Sequence, residues 1–216
     1  MTHNVDLFYS YRSPYSYLAT GRIVDLRREY DLAVNVRPVY PIAIRNPDFF
    51  SAINPLWIPY LLKDIMRVGE MNGTPISWPS PDPVAMNNVT REIPKEQPHI
   101  HRLTHLGIAA SETGDGLAFT DEVSRMIWNG DTKDWHEGDH LARAAERAGF
   151  DLAHLDSLIE GQFETYTQKV GENQAALEAS GHWGVPTLAY NNEAFFGQDR
   201  IDTCVWRMSN DGLAAR

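Results

Sequence analysis

Ser13 stands where a short β-rich run gives way to an amphipathic segment, directly before Pro14. A serine there is a good N-cap, and proline fits the first helical position because its missing N–H costs nothing. A hydroxyl at the start of a helix can also do chemistry. The backbone N–H groups and the helix dipole favour an anion such as a thiolate, and the hydroxyl can donate to it. Lower in the chain, Val185-Pro186 opens a second β-rich run that can face the same helix start, and Gln198-Asp199 opens a final helix. His101 and His105 share one helical face but lack a third ligand and any HExxH pattern, so no metal is expected and both should face solvent. The single cysteine, Cys204, lies between Ile201 and Val205 and should be a buried structural thiol, so neither a disulfide nor a CxxC dithiol is available within the chain.

The elements that position these residues follow from periodicity. Val5, Leu7 and Tyr9 alternate as a strand; Tyr15, Leu18, Ala19, Ile23, Leu26 and Tyr30 recur at spacings of three and four as a helix; Val34–Val39 alternates again. This is a βαβ unit with a parallel strand pair. Residues 41–60, rich in proline, asparagine and aromatics, read as irregular covering loop, and helices are expected at about 60–72, 86–113, 120–128, 138–149 and 151–179, with Gly149 and Gly161 as stops. Strands return at 185–190 and 193–196 around an Asn191-Asn192 turn, and a helix runs from Gly197 to about Met208. The two ends of the chain should therefore share one sheet, with a helical block inserted between them.

The 216 residues suit one well-buried domain or two intimate ones, and 43% apolar with 22% charged residues is ordinary for a globular protein. A formal net charge of -10 disfavours nucleic acid as a partner but leaves room for one local basic pocket and an anionic substrate. The start of the chain lacks a signal-peptide pattern and no apolar run is long enough to span a membrane, so the expected location is cytoplasmic.

Three motifs together, Phe8-Tyr9 with Ser13-Pro14-Tyr15-Ser16-Tyr17-Leu18-Ala19, Trp183-Gly184-Val185-Pro186-Thr187, and Phe195-Phe196-Gly197-Gln198-Asp199-Arg200, resemble the 2-hydroxychromene-2-carboxylate isomerase family and the kappa-class glutathione transferases. The resemblance covers almost the whole chain. It implies an α/β, thioredoxin-like fold of the DsbA/kappa type with an all-helical insertion: residues 1–40 and 181–216 as the thioredoxin-like domain, 41–180 as the inserted one. It also implies glutathione as cofactor, its sulfur near the Ser13 hydroxyl. The Val185 backbone before a cis Pro186 would pair with the cysteinyl part, and Gln198 and Asp199 would hold the γ-glutamyl end. The implied reaction is cis–trans rearrangement of an aromatic-catabolism intermediate, a small electrophile, by transient thiolate addition. A kappa-like transferase or peroxidase, or a non-catalytic thiol or peptide binder, is the alternative. A homodimer is expected by the same analogy.

Family members carry lysine and asparagine on glutathione where this chain has Trp57 and Asp48; Arg45 and Lys63 are nearby cations that could replace the charge. Tyr15, Arg45, Phe49 and Trp57 are the substrate-pocket candidates.

Overall fold

The computed structural model describes residues 2–87, 90 and 92–216. Strand β1 (His3–Tyr9), helix α1 (Pro14–Glu29) and strand β2 (Leu32–Pro38) form the expected βαβ unit, and β1 and β2 run parallel with Val5 opposite Val34 and Leu7 opposite Val36. Between β2 and the remaining strands lie α2 (Ile42–Arg45), α3 (Phe49–Ala52), α4 (Trp57–Asn72), α5 (Ile100–Thr113), α6 (Gly116–Trp128), α7 (His140–Arg147), α8 (Leu152–Ile159) and α9 (Phe163–Ala179). Strands β3 (Thr187–Tyr190) and β4 (Glu193–Phe196) follow, then a 3-10 turn over Gln198–Arg200 leading into α10 (Ile201–Asn210).

The sheet order is β2-β1-β3-β4, with β3 antiparallel to both β1 and β4. Asn191 and Asn192 turn that hairpin with φ of 49° and 64°, a left-handed pair that asparagine tolerates and that matches strand twist. Alternation along β1 sends Val5, Leu7 and Tyr9 into the main core, while Phe8 packs on the opposite face with Val39 and Leu177 of α9. The two ends of the chain thus share one sheet, and the fold is α/β and thioredoxin-like, as the resemblance implied.

Several boundaries differ from expectation. The helix expected from residue 86 begins at Ile100, because Pro94 and Pro98 withhold N–H donors and clash with a preceding turn; Asn88, Val89 and Arg91 of that stretch lie outside the described residues. Helix α6 starts at Gly116, ahead of the expected 120, because the Asp115 carboxylate accepts the Ala118 N–H at 3.0 Å and caps it. The single helix expected over 151–179 is two, parted at Gly161, whose φ of 67° is the left-handed conformation of a helix stop. The 41–60 segment contains α2, α3 and the start of α4.

The helical block clamps the turn that carries Ser13. Trp128 of α6 donates its indole N–H to the Tyr11 carbonyl at 2.9 Å, and the Tyr11 hydroxyl meets Thr120 at 3.2 Å. Gly107 of α5 leaves room for that tyrosine, since a Cβ there would overlap its hydroxyl. The Ser13 N–H closes the turn onto the Ser10 carbonyl at 3.0 Å. Each such bond adds about 1 kcal/mol, and each buried donor left unmet would cost more.

Candidate active site

Ser13 is the N-cap of α1, with φ −93° and ψ 115°, and its Oγ accepts the Ser16 N–H at 3.2 Å. Its own proton is nearly uncommitted, since the hydroxyl points at the Val185 carbonyl across 3.5 Å, the outer limit for such a bond. No acidic side chain occupies the first turn of this 16-residue helix, so the positive end of its dipole is uncompensated at Ser13. Three residues on, Ser16 is fully buried and its Oγ has no hydrogen-bond partner among the described residues. Both positions of a C-x-x-C pattern are thus serine.

Val185 faces Ser13 from two residues before β3. The Val185–Pro186 peptide is cis, the Pro186 carbonyl accepts the Gly197 N–H at 2.9 Å, and the Val185 N–H meets no acceptor among the described residues. The backbone at Val185, beyond the last β1–β3 pair of Phe8 with Thr187, is therefore open beside the helix N-terminus.

Ser13, Tyr15, Arg45, Phe49, Trp57 and Val185 all line one cavity of about 310 Å³, so six of the sequence candidates meet in one place. Its walls are largely aromatic: Phe49 lies edge-on to Phe50 at 5.3 Å and to Trp57 and Trp183 at 6.0 Å each. Trp57 and Trp183 remain 40% and 48% exposed, a large apolar area to leave in water at a cavity mouth. The Tyr15 hydroxyl donates to Asp64 at 2.6 Å, and burial together with that bond pushes its phenol well above the ordinary range, so it stays neutral with its proton engaged.

Arg12 was not anticipated from sequence, although it immediately precedes Ser13. It lines the same cavity and is pinned there: its guanidinium pairs with Asp82 through two bonds of 3.2 and 3.0 Å and lies 5.1 Å from the Trp78 ring and 5.7 Å from Phe50. Arg45 is in a different state. Its Nε donates to the Tyr40 carbonyl at 2.7 Å, and it forms no ion pair among the described residues.

The other candidates lie elsewhere. Gln198 and Asp199 line a separate cleft between α1, α4 and the start of α10, where Asp199 pairs with Arg200 at 3.2 Å. Pro186 is buried at the entrance to β3, and Asp48 and Lys63 are exposed, neither lining the cavity. His105, expected at the surface, is only 3% exposed; its Nε2 bonds the Tyr40 hydroxyl at 2.8 Å because α5 turns that face inward against β2 and α9. Burial first, then the neighbouring His101, depresses its pKa to about 4, so it is a neutral core group. Among the described residues no cluster of three His, Cys, Asp or Glu side chains could hold a metal ion. No helix among them is long and apolar enough to cross a membrane. Cys204 is fully buried in α10 and desolvation pushes its thiol up to about 12.

Residues 4–208 match the family model described as the DSBA-like thioredoxin domain. The chain is 23% identical over 203 residues to the 2-hydroxychromene-2-carboxylate isomerase of Pseudomonas putida, covering 91% of this chain and 90% of that one. It is 25% identical over 202 residues to the enzyme of the same name from Pseudomonas sp. (strain C18), covering 91% and 86%. A solved selenomethionine structure of a 2-hydroxychromene-2-carboxylate isomerase superposes with a TM-score of 0.71 at 19% identity, over 96% of this chain and 95% of that one.

Proposed function

We propose a glutathione-dependent isomerase, proceeding from the fact that the chain belongs to the DSBA-like thioredoxin domain family. One observation carries the reading: a nearly uncommitted hydroxyl sits at the uncompensated N-terminus of α1 and opens onto an aromatic cavity. The full-length likeness to proteins named 2-hydroxychromene-2-carboxylate isomerase supports it.

The residues fit a cysteinyl peptide in two respects. The Val185 N–H has no acceptor among the described residues, as strand-like pairing with a peptide requires, and the Ser13 hydroxyl has a proton to give. Gln198 and Asp199 remain the candidates for the γ-glutamyl end, reached through the neighbouring cleft along α1. Bound glutathione would supply a thiolate able to add reversibly to an electron-poor double bond, which then rotates about the resulting single bond. Ser13 donates its proton toward that sulfur, and with the dipole of α1 it favours the charged form and lowers its pKa. Phe49, Phe50, Trp57 and Trp183 hold the arene and exclude water from the site. The bidentate Asp82 pair keeps Arg12 fixed beside Ser13 and cancels most of its charge.

The test is turnover of 2-hydroxychromene-2-carboxylate with and without glutathione, followed by absorbance and by counting free thiols. Isomerisation that requires glutathione and leaves the thiol count unchanged is expected. Consumption of the thiol would overturn the reading in favour of a transferase, and glutathione-independent turnover would remove the cofactor from it.

A further inference from the structure

The cavity beside Ser13 is apolar on most sides yet contains two guanidinium groups, and their surroundings differ. Arg12 has its counter-charge in Asp82, with both side chains largely covered (11% and 22% exposed). Arg45 has none. It is half-buried on the last residue of α2, its Nε is held by the Tyr40 carbonyl, and neither of its terminal nitrogens has a partner among the described residues. Glu178 lines the same groove as Arg45 and Trp183 and acts on the guanidinium without an ion-pair contact.

A half-buried cation without a partner is costly, because water is removed from it and nothing replaces the lost solvation. Desolvation accordingly lowers the Arg45 pKa, although an arginine keeps its charge. What the position lacks, among the described residues, is an anion within ion-pair distance. Anchoring the guanidinium through Nε leaves its terminal edge for the two oxygens of a carboxylate, the planar arrangement in which arginine binds most strongly. Phe49 and Trp183, in edge contact with each other at 6.0 Å, line the cavity and the groove together with Arg45 and supply aromatic surface for whatever carries the carboxylate.

We propose that Arg45 is the carboxylate-binding residue of the aromatic cavity, and that the ligand it selects is an arene-bearing mono-acid held against Phe49, Trp57 and Trp183. This deepens the isomerase reading, and it rests on that reading only where the acid is identified with the acceptor of the reaction. Glutathione also carries carboxylates. The groove beyond Arg45 is lined by Gln174 and Glu178 and holds no second cation among the described residues, which suits one acid on an aromatic body better than a peptide with two. At about 310 Å³ the cavity lies at the small end of ligand pockets, roughly 300–1,000 Å³.

The experiment is calorimetric titration of the full chain with trans-cinnamate and, separately, with trans-cinnamamide, which has the same shape without the charge. Wild type, Arg45→Gln, Arg45→Lys and Arg12→Gln are compared, and each is also titrated with glutathione. The expected result is that cinnamate binds wild type about tenfold or more tighter than cinnamamide, as a charge-assisted pair implies. Arg45→Gln should erase that difference, Arg45→Lys should restore part of it, and Arg12→Gln should leave most of it. Cinnamamide affinity should stay within about twofold throughout, which also reports that the cavity is folded. Equal affinity of wild type for both probes overturns the proposal, as does equal weakening of both by Arg45→Gln. A loss of glutathione affinity in Arg45→Gln with cinnamate unchanged would assign the residue to glutathione's carboxylate instead and equally overturn it. If wild type fails to bind glutathione, the isomerase reading falls, while the two cinnamyl probes still decide the role of Arg45.

Discussion

The Ser13 oxygen has two duties, and substitution can separate them. As a cap it accepts the Ser16 N–H at 3.2 Å; as a donor its proton is spent only on a 3.5 Å contact to Val185. Replacing a serine cap by alanine costs about 1 kcal/mol, whereas glycine costs only a few tenths. For a chain of 216 residues, about 1 kcal/mol corresponds to roughly 2–4 °C in the unfolding midpoint. The donor is lost equally in both variants. A hydrogen bond to a charged group contributes roughly 1.5–3 kcal/mol, or about 1–2 pKa units on the thiol it stabilises. Ser13→Gly should therefore melt close to wild type, and Ser13→Ala a few degrees lower. Both should raise the pKa of bound glutathione by the same amount, toward the free-thiol value of about 8.5. Calorimetric melting and the ultraviolet absorbance of the bound thiolate against pH measure the two effects. An unchanged thiol pKa in both variants would refute the donor role, and equal melting losses would refute the cap.

Asp82→Asn leaves the Arg12 guanidinium without its counter-charge in a largely covered site. It should cost about 2 kcal/mol in urea unfolding, below the ~3–5 kcal/mol of a fully buried pair because both groups retain some solvent. The double change Arg12→Met with Asp82→Leu should cost less than the sum of the singles, and additivity would sink the pairing. The folded-state pKa of His105 is depressed to about 4, below the unfolded value near 6.5. Its contribution to stability is thus present above about pH 6.5 and is lost as pH falls toward about 4, because the unfolded chain then takes up the proton first. The midpoint of thermal unfolding should drop across that window, and His105→Gln should remove that part of the drop. Cys204, with its thiol pushed up to about 12, should resist thiol reagents at neutral pH in the folded protein and react promptly in denaturant. Rapid labelling of the native chain would contradict its burial.

The β elements were legible because their signals are local. Val5, Leu7 and Tyr9 alternate over a few residues, and the paired asparagines at 191 and 192 mark their turn without help from the rest of the chain. Helix boundaries in the inserted block were less so. A glycine at 116 looks like a breaker until Asp115 is seen to cap the helix it begins. The inward turn of His105 was hidden for a different reason. A histidine among polar residues looks solvated, and only Tyr40, brought in from the end of β2, gives it a buried partner. Such pairings between distant segments leave no trace in periodicity.

The site divides along the same line, and the division bears on its chemistry. Ser13, Phe49, Trp57 and Val185 were visible as candidates, yet the charge state of the cavity was not, because it depends on Asp82 meeting Arg12 and on Arg45 having no such ion pair among the described residues. That asymmetry limits what each group can contribute. With Arg12 offset by its carboxylate, stabilisation of an anion next to Ser13 falls mainly to the hydroxyl and to the end of α1, both fixed in place before any ligand arrives. The chain's own thiol is of no use there, being buried in α10 and held in its neutral form. In the proposed reaction the thiol at Ser13 is therefore brought in with glutathione, and Arg45, which forms no ion pair among the described residues, is left to discriminate among the acids that it meets.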